Sequence, residues 1–288
     1  MIVLTLCNHK GGTGKTTSAV HLAAAMGLAG QRTLLVDLDP QGFLSRTLGF
    51  SEPPVEHSSL ALFEPTLRLG DVPMRRLSGF DVLPSHMRMT HAMRKLDKPS
   101  DVLWAKDSIQ SLQGYDVVLF DTAAALTVFS LNALVASTYC VIPVTPEHQP
   151  VVGAEQTFAT VRMVQDKLNP ALTDPLFLFT QVDARRSDHA ALRATLRHHY
   201  GPCVMQRMIR TSAALSRTYP DGKTVFDYDT TARGSRDYAN AAEELGRVIA
   251  QGGLRTQVRA RPPAEHGQID PHAGVTVASP AEVIADEV

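Results

Sequence analysis

A short segment near the amino terminus combines glycines, hydroxyl groups and lysines in the manner of an anion-binding loop. It reads Lys10-Gly11-Gly12-Thr13-Gly14-Lys15-Thr16-Thr17. Glycines lack a Cβ and let successive backbone N–H groups converge on phosphate oxygens. In such a loop Lys15 would neutralise the β- and γ-phosphates of a nucleotide, and the Thr16 hydroxyl would bind Mg²⁺. We therefore predict that residues 10–17 bind a nucleotide.

The glycine spacing departs from the common phosphate-loop pattern G-x-x-x-x-G-K-[ST] and follows the deviant Walker A variant K-G-G-x-G-K-[ST]. Lys10, five residues before Lys15, distinguishes this variant. Two ammonium groups so close in sequence repel each other unless a polyanion lies between them. The pair therefore indicates a highly charged ligand or a shared one. A glycine-rich turn with two surface lysines is the alternative interpretation.

Carboxylates follow two apolar runs that are typical of strands. Thr33 to Val36 leads into Asp37-Leu38-Asp39-Pro40-Gln41-Gly42, and a second run ends at Asp121. Carboxylates at positions i and i+2 of a strand end point the same way. One would belong to a magnesium shell and the other would orient or activate water, with Asp121 near the metal through water. An Asp-rich turn is the alternative for the first pair, because Asp-Pro and Gln-Gly are common turn dipeptides.

These residues need a frame that brings strand ends together. The apolar run from Ile2 to Leu6 is typical of a central parallel strand covered on both faces, and a helical pattern rich in small residues follows the loop. Strand and helix patterns then alternate, including a strand predicted over 204–209 and a closing helix over 235–250. We predict an α/β fold with a doubly wound, mostly parallel sheet flanked by helices, which binds its ligand at the strands' carboxyl ends.

Length and composition fit a single domain followed by a tail. The chain has 288 residues, of which 44% are hydrophobic, and this is enough for a large buried core. We assign residues 1–251 to the domain. Residues 252–288 carry prolines, alanines and polar residues without helical or strand periodicity, so we predict a disordered tail there.

The overall charge does not indicate a nucleic-acid partner, since 28 Lys and Arg residues stand against 29 Asp and Glu residues. Locally, the segment from Arg185 to Arg217 contains seven arginines and a single acid, Asp188. Such a cluster on an otherwise neutral chain is the pattern of a nucleic-acid contact surface. A solvated helix face fits the same residues.

The cysteines and the hydropathy pattern indicate the cellular compartment in which the protein works. Cys7, Cys140 and Cys203 are far apart and form no C-x-x-C pair, so we expect buried free thiols in a reducing cytoplasm. No apolar stretch approaches the roughly 18 to 20 residues of a membrane span. We expect a soluble, cytoplasmic protein with no membrane partner.

With these segments placed, the chain resembles the ParA-type partition ATPases, also called Soj, from Met1 to about Ala250. The resemblance rests on the glycine-rich loop, on the turn that begins at Asp37 and on Phe120-Asp121-Thr122, with support from Ile142-Pro143-Val144 and Arg233 to Tyr238. It implies a phosphate-loop ATPase that uses ATP and Mg²⁺ and forms a homodimer when ATP is bound.

The resemblance also implies roles for individual residues. Lys10 is similar to the signature lysine that reaches the partner's phosphates across the dimer, and Asp39 to the residue required for hydrolysis. The implied catalytic residues are Lys10, Lys15 and Asp39. The implied metal residues are Thr16, Asp37 and Asp121.

A further implication is DNA binding without sequence preference by the basic carboxyl-terminal region, which would place the protein on the nucleoid. The candidate DNA-binding residues are Arg210, Arg217, Arg233 and Arg236. Such binding would neutralise phosphates and would depend steeply on salt. A ParB-like or cargo-adaptor partner would stimulate hydrolysis, which would release the DNA and move a plasmid, a chromosome or another cargo.

The chain departs from the family pattern at two places beside the loop and the second carboxylate strand. His9 stands where the family usually has Gln or Glu, and Thr122-Ala123-Ala124-Ala125 replaces a turn of the Thr-Pro-Pro-Ser type. Loss of the prolines would loosen the segment after Asp121, which affects how nucleotide state is coupled to dimerisation.

Two alternatives stay open. A relative that positions a non-DNA cargo, such as a protein microcompartment or a chemoreceptor cluster, would have the same biochemistry. An ATP-dependent metabolic ligase or synthetase on the same fold would need a second, small-molecule pocket, for which the sequence has no motif. A membrane oscillator of the MinD type would need a basic amphipathic helix where this chain ends in acidic residues.

Overall fold

The computed structural model describes residues 1–218 and 222–258, and one seven-stranded sheet lies at the centre of these residues. The strands are β1 (Ile2–Leu6), β2 (Thr33–Asp37), β3 (Arg75–Arg76), β4 (Asp81–Leu83), β5 (Val117–Asp121), β6 (Tyr139–Val144) and β7 (Leu176–Phe179). Their order is β3-β4-β2-β5-β1-β6-β7, and all neighbours are parallel except β3 and β4. The predicted doubly wound, mostly parallel sheet is confirmed.

Helices cover both faces of this sheet. Within the described residues they are α1 (Lys15–Leu28), α2 (Phe43–Thr47), α3 (Met89–Ala92), α4 (Trp104–Ile109), α5 (Val128–Ala136), α6 (His148–Lys167), α7 (Ser187–Tyr200), α8 (Ala213–Arg217), α9 (Val225–Tyr228) and α10 (Arg233–Ala250). Short 3₁₀ helices span Val55–His57, Ser59–Phe63, Leu69–Asp71, Pro99–Leu103 and Gly201–Cys203. The short helices α2 and α8 flank the edge at which the candidate site residues lie.

Alternating side chains along the central strands supply a core on each face of the sheet. In β1, Leu4 and Leu6 pack with Ala19 and Ala23 of α1, whereas Val3 belongs to the core on the opposite face. Each such buried aliphatic side chain stabilises the fold by about 1.5 to 3 kcal/mol. The small side chains of α1 let this helix approach the sheet closely, which holds the preceding loop against the strand ends.

One prediction about the carboxyl-terminal part is wrong. Residues 204–209 do not form a strand: within the described chain, Val204 forms an isolated parallel bridge with Phe177 of β7, and Arg210, just past the segment, forms another with Val182. At the start of the predicted tail, Leu254 packs against the core, and the backbone N–H and hydroxyl of Thr256 donate to Asp174. The rest of the predicted tail, residues 259–288, lies outside the described residues.

The cysteines are buried free thiols, as predicted. Cys7, directly after β1, and Cys140 of β6 lie side by side with 3.3 Å between their sulfur atoms, and burial raises the pKa of Cys140 well above its usual range. Among the described helices, none has the length and apolar character that crossing a membrane requires.

The carboxyl ends of three central strands meet at one edge of the sheet. Asp121 at the end of β5 is the register partner of Leu6 in β1 and of Asp37 in β2. The glycine-rich loop leaves β1 at this same edge and leads into α1. The fold therefore places the loop beside the carboxylates that sequence analysis assigned to the same chemistry.

Candidate functional site

The backbone of the glycine-rich loop has the conformation that its sequence predicts. Gly12 and Gly14 have φ angles of 74° and 80°, a left-handed region that a Cβ disfavours. Helix α1 begins directly afterwards at Lys15, and no side chain caps its amino terminus. The first N–H groups of the helix and the positive end of its dipole are therefore directed at the loop, an arrangement that binds anions.

The Lys15 ammonium lies inside this loop. The residue is 8% exposed, and its Nζ donates to the carbonyl oxygen of Lys10 over 2.9 Å. Burial lowers the pKa of Lys15, while the negative charges of Asp121 and Asp39 oppose that shift. A buried cation bound mainly to a backbone carbonyl is well placed to exchange that weak partner for a phosphate oxygen.

Asp121 lies deepest in the site and is fully buried. The Thr16 hydroxyl donates to its Oδ2 over 2.7 Å, whereas its Oδ1 has no hydrogen-bond partner among the described residues. Burial, together with the charge of Asp37, raises the pKa of Asp121 well above its usual range. An unsatisfied buried carboxylate oxygen carries a desolvation penalty that a bound cation would remove.

Asp37 is fully buried as well, but its oxygens are occupied. Oδ2 accepts hydrogen bonds from the backbone and the hydroxyl of Ser45 in α2, and Oδ1 accepts from the backbone of Asp39. Burial raises the pKa of Asp37 to about 6 despite these bonds. The half-buried Asp39 accepts at Oδ1 from the backbone of Gln41 over 2.8 Å. Asp37 therefore shapes the turn that carries Asp39.

A second wall of the site comes from the segment after β7, which sequence analysis did not identify. The Thr180 hydroxyl donates to the carbonyl of Thr13, and the Gln181 side chain donates to the carbonyl of Gly12, each over 2.8 Å. Gln181 has a φ of 54°, unusual for a residue other than glycine. Polar residues directly after a buried strand were the signal, as they were for Asp37 and Asp121.

An open cavity of about 570 Å³ extends from the loop along this wall. Gly14 and Thr17 line one side, and the segment from Ile209 to Ser216 lines the other, with Tyr238 contributing from α10. A cavity of this size that begins at an anion-binding loop accommodates a group attached to a phosphate chain. The segment that was predicted as a strand is thus, at its carboxyl end, a wall of this cavity.

The chain has relatives of known family. Residues 1–174 match the family model described as AAA domain. The chain is 35% identical to the chromosome-partitioning ATPase Soj of Thermus thermophilus, over 84% of this chain and 94% of the relative. It is 31% identical to the sporulation initiation inhibitor protein Soj of Bacillus subtilis, over 84% and 97% of the two chains. The chain belongs to the Soj/ParA family of partition ATPases.

Solved structures of similar fold are known for this Soj/ParA chain. Cobyrinic acid a,c-diamide synthase from Mycobacterium smegmatis, with bound ATP analog and magnesium, superposes with a TM-score of 0.73. The two chains are 27% identical, over 91% of this chain and 98% of that one. ATP and Mg²⁺ are the cofactors of the family.

The donor set at the strand ends of this Soj/ParA chain fits Mg²⁺. A hydroxyl and carboxylate oxygens are the hard ligands that this ion selects, and it usually keeps several waters and takes few protein ligands. Burial raises the pKa values of both Asp37 and Asp121, and at Asp121 the charge of Asp37 adds to the rise while that of Lys15 opposes it. Of the predicted metal residues, Thr16 and Asp121 would hold the ion, and the hydrogen-bonded Asp37 would act through water.

The candidate DNA-binding arginines of this Soj/ParA chain fall into two groups. Arg217, Arg233 and Arg236 are exposed, and the last two lie in the first turn of α10. Arg210 is different, because its guanidinium forms a forked ion pair with the buried carboxylate of Asp237. Its side chain also lines the cavity beside the loop. Arg210 is therefore the candidate least accessible to a DNA phosphate.

Proposed function

We propose that this protein is a cytoplasmic ATPase that dimerises with ATP, binds nucleoid DNA without sequence preference and segregates or positions a cargo. The observation that carries the proposal is the buried Lys15 ammonium, bound to the backbone carbonyl of Lys10 in a carboxylate-lined loop, in a chain 35% identical to a Soj ATPase. Lys10 and Lys15 place two positive charges in one loop, where they repel each other unless an anion lies between them. A triphosphate held between two subunits would be such an anion.

The residues of one subunit account for binding of the nucleotide and for positioning of water. The loop amides and Lys15 would bind the phosphates, and Thr16 and Asp121 would hold Mg²⁺. The ion, when bound, would neutralise charge that develops on the phosphate oxygens. Asp39 lies half-buried at the mouth of the site and would orient the attacking water.

Lys10 would act across the dimer. Its ammonium forms no ion pair with a carboxylate of the described residues, although its backbone carbonyl is bound by Lys15. A half-buried lysine at the outer edge of a phosphate loop has its charge available to a second anion. The partner's triphosphate is the anion that we propose.

DNA binding would use the exposed arginines Arg217, Arg233 and Arg236, with Arg210 a weaker candidate. Arg217 donates to the Tyr228 hydroxyl over 3.3 Å, and the other two form no salt bridge with a described residue. Guanidinium groups of this kind neutralise phosphates and release counterions, which gives affinity without sequence preference. A dimer would double the number of contacts, so ATP would favour retention on the nucleoid.

Replacement of Asp39 tests the proposed cycle. We expect Asp39→Ala to retain ATP binding and to accumulate as a DNA-bound dimer, because hydrolysis that dissolves the dimer is lost. Gel filtration with ATP and Mg²⁺ measures dimerisation, DNA co-sedimentation measures DNA binding, and phosphate release measures hydrolysis. Asp107→Ala, at an exposed position of α4, is the matched control and should behave as the unmodified protein. Failure of Asp39→Ala to dimerise with ATP would remove Asp39 from the hydrolytic step.

The likeness to an amide-forming synthase favours a second candidate function, an ATP-dependent metabolic synthetase. The two functions differ in what accelerates ATP turnover. A partition or positioning ATPase should respond to DNA together with a partner protein, whereas a synthetase should respond to an acid substrate and an amide-nitrogen donor. Turnover that rises with cobyrinic acid but not with DNA would favour the synthetase.

The cargo could be DNA or a protein assembly, since both would use the same ATP-dependent cycle. The stimulating partner distinguishes the two. A partner captured by ATP-bound Asp39→Ala that binds a centromere-like DNA site would favour partition. A partner that is a component of a protein assembly would favour the positioning of that assembly.

A further inference from the structure

A glycine in the first half of α6 lies directly beneath the Lys10 side chain. Gly153 is buried, and a Cβ built on it would lie 2.3 Å from Cγ of Lys10, 3.1 Å from Cε and 3.3 Å from Cδ. Non-bonded carbon atoms require about 3.5 Å or more. The aliphatic stem of Lys10 therefore crosses α6 at the position where every other amino acid has a side chain.

Glycine at this position requires a reason, because it is unfavourable inside a helix relative to alanine. Gly246 of α10 shows the contrast, since a Cβ built there meets no heavy atom within 4 Å. At Gly246 the chain has room for a methyl group, whereas at Gly153 the room is taken by Lys10. Gly246 is exposed and Gly153 is buried, and the side chain that fills the space at Gly153 is that of Lys10.

The backbone of the loop is fastened to the same part of α6. The Thr157 hydroxyl, one turn beyond Gly153, accepts from the backbone N–H of His9 over 3.0 Å and donates to the Gly153 carbonyl over 2.8 Å. Asn8 accepts from the backbone N–H of Lys10 over 3.0 Å. These bonds hold the Cα of Lys10 at a set distance from the helix. A side chain at 153 would therefore displace the Lys10 stem, because the backbone is tied down.

We propose that Gly153 is a positioning residue for Lys10, a seat in α6 that directs the lysine ammonium to the outer edge of the loop. The proposal rests on the proposed function, in which that ammonium reaches the partner's phosphates. With the seat open, the stem lies along the helix and the charge is presented in one place. With the seat filled, the stem is displaced and the Lys10 side chain occupies several rotamers. The fraction of molecules whose ammonium can bridge two subunits is then lower.

The test combines four variants: Gly153→Ala, Lys10→Ala, the double variant, and Gly246→Ala as the matched control. Without nucleotide, the acylation rate of Lys10 by an N-hydroxysuccinimide ester is measured by mass spectrometry, and thermal unfolding is followed by circular dichroism. We expect Gly246→Ala to raise the unfolding temperature. We expect Gly153→Ala to leave it unchanged or lower it and to increase the acylation rate of Lys10 severalfold.

With ATP and Mg²⁺, the same variants are compared for dimerisation by gel filtration. Displacement of a charged group by about an ångström costs on the order of 10- to 100-fold in a step that depends on it, so Gly153→Ala should weaken dimerisation by about that factor. In the Lys10→Ala background, Gly153→Ala should have no further effect on dimerisation and should raise the unfolding temperature as Gly246→Ala does.

Several results would overturn the proposal. Gly153→Ala could raise the unfolding temperature and leave Lys10 acylation unchanged, or it could impair dimerisation further in the Lys10→Ala background. If Gly153→Ala fails to fold, recovery of folding in the double variant supports the seat, and failure to recover overturns it. If Lys10→Ala dimerises normally with ATP, the proposed role of Lys10 fails, while acylation and unfolding still decide whether Gly153 positions it.

Discussion

The nucleotide end of the molecule and its basic carboxyl-terminal surface both depend on charge, but they hold it in opposite ways. Asp37 and Asp121 are fully buried and Lys15 nearly so, and each is tied to named backbone or side-chain atoms. Arg233 and Arg236 are exposed on α10. A buried charge is stable only with specific partners, whereas a surface charge is stabilised by water. Geometry therefore constrains the first region far more than the second.

The two regions meet where α1 packs against α10. Ser18 and Tyr238 exchange a hydrogen bond of 3.1 Å between their hydroxyls, and the rings of His21 and Tyr238 contact edge to face at 5.1 Å. Tyr238 also lines the cavity next to the loop. A nucleotide-dependent shift of α1 would thus be transmitted to the helix that carries Arg233 and Arg236. This packing is a physical route between the two regions.

The largest effect is expected from removing the buried cation. Lys15→Ala should reduce ATP turnover by about 100-fold or more, because a charge aimed at the phosphates from a desolvated site is worth several times a surface charge. Phosphate release at saturating ATP and Mg²⁺ measures it. Lys106→Ala, an exposed lysine of α4, should change turnover less than twofold by the same reasoning. Equal losses in the two variants would break the contrast between buried and exposed charge.

Arg210 tests where the boundary between the two regions lies. Its partner Asp237 is 5% exposed in its side chain, so Arg210→Ala leaves a buried carboxylate with one lost charged partner. We expect a loss of about 2 kcal/mol in the free energy of unfolding, measured by urea denaturation. DNA affinity should fall less than in Arg236→Ala. If Arg210→Ala has normal stability but loses most of its DNA affinity, Arg210 belongs with the exposed DNA-binding arginines.

The same contrast explains what could be predicted from sequence. The loop and the strand-end carboxylates were found because their chemistry requires particular residue types at short spacing. Thr180 and Gln181 were missed, since they contact the loop from more than 160 residues away in the chain. The contact between Gly153 and Lys10 has no signature within either segment, because only the fold brings α6 to the loop.

Residues 204–209 were wrongly predicted as a strand for a physical reason. Val204, Met205 and Ile209 are buried against the edge of the sheet, as in a strand, and Ile209 belongs to the core. Yet among these residues only Val204 forms a bridge, to Phe177, and the next bridge lies at Arg210, just past the segment. Periodicity reports burial, not hydrogen bonding, so a buried extended connection and an edge strand give the same pattern.

The pH dependence of stability tests the packing of His21, which lies where the two regions meet. Burial lowers its pKa to about 3 in the folded protein, against 6.5 when exposed, with Asp227 opposing the shift. The unfolded state therefore binds a proton that the folded state excludes. The part of the stability that depends on a neutral His21 is fully present above pH 6.5 and is lost as the pH falls towards 3.

We expect the titration of His21 to lower the free energy of unfolding by about 1.4 kcal/mol between pH 7.5 and 5.5. His21→Leu should remove that part of the pH dependence, as measured by urea denaturation at the two values. His91→Gln changes an exposed histidine and should leave it in place. An unchanged acid slope in His21→Leu would mean that His21 is protonated in the folded protein.

The smallest effect, and the one that most directly separates the regions, is expected at a single exposed arginine. Arg236→Ala should leave DNA-independent ATP turnover unchanged, because this side chain does not contact the loop. The slope of log affinity against log salt should become shallower by about 0.9 for one lost phosphate contact. Arg247→Ala, in the last turn of the same helix and paired with Glu243, is the control and should retain the full slope. If both variants shift the slope equally, the contact surface extends along α10; if neither does, the surface lies elsewhere, and exposure alone was a poor guide to it.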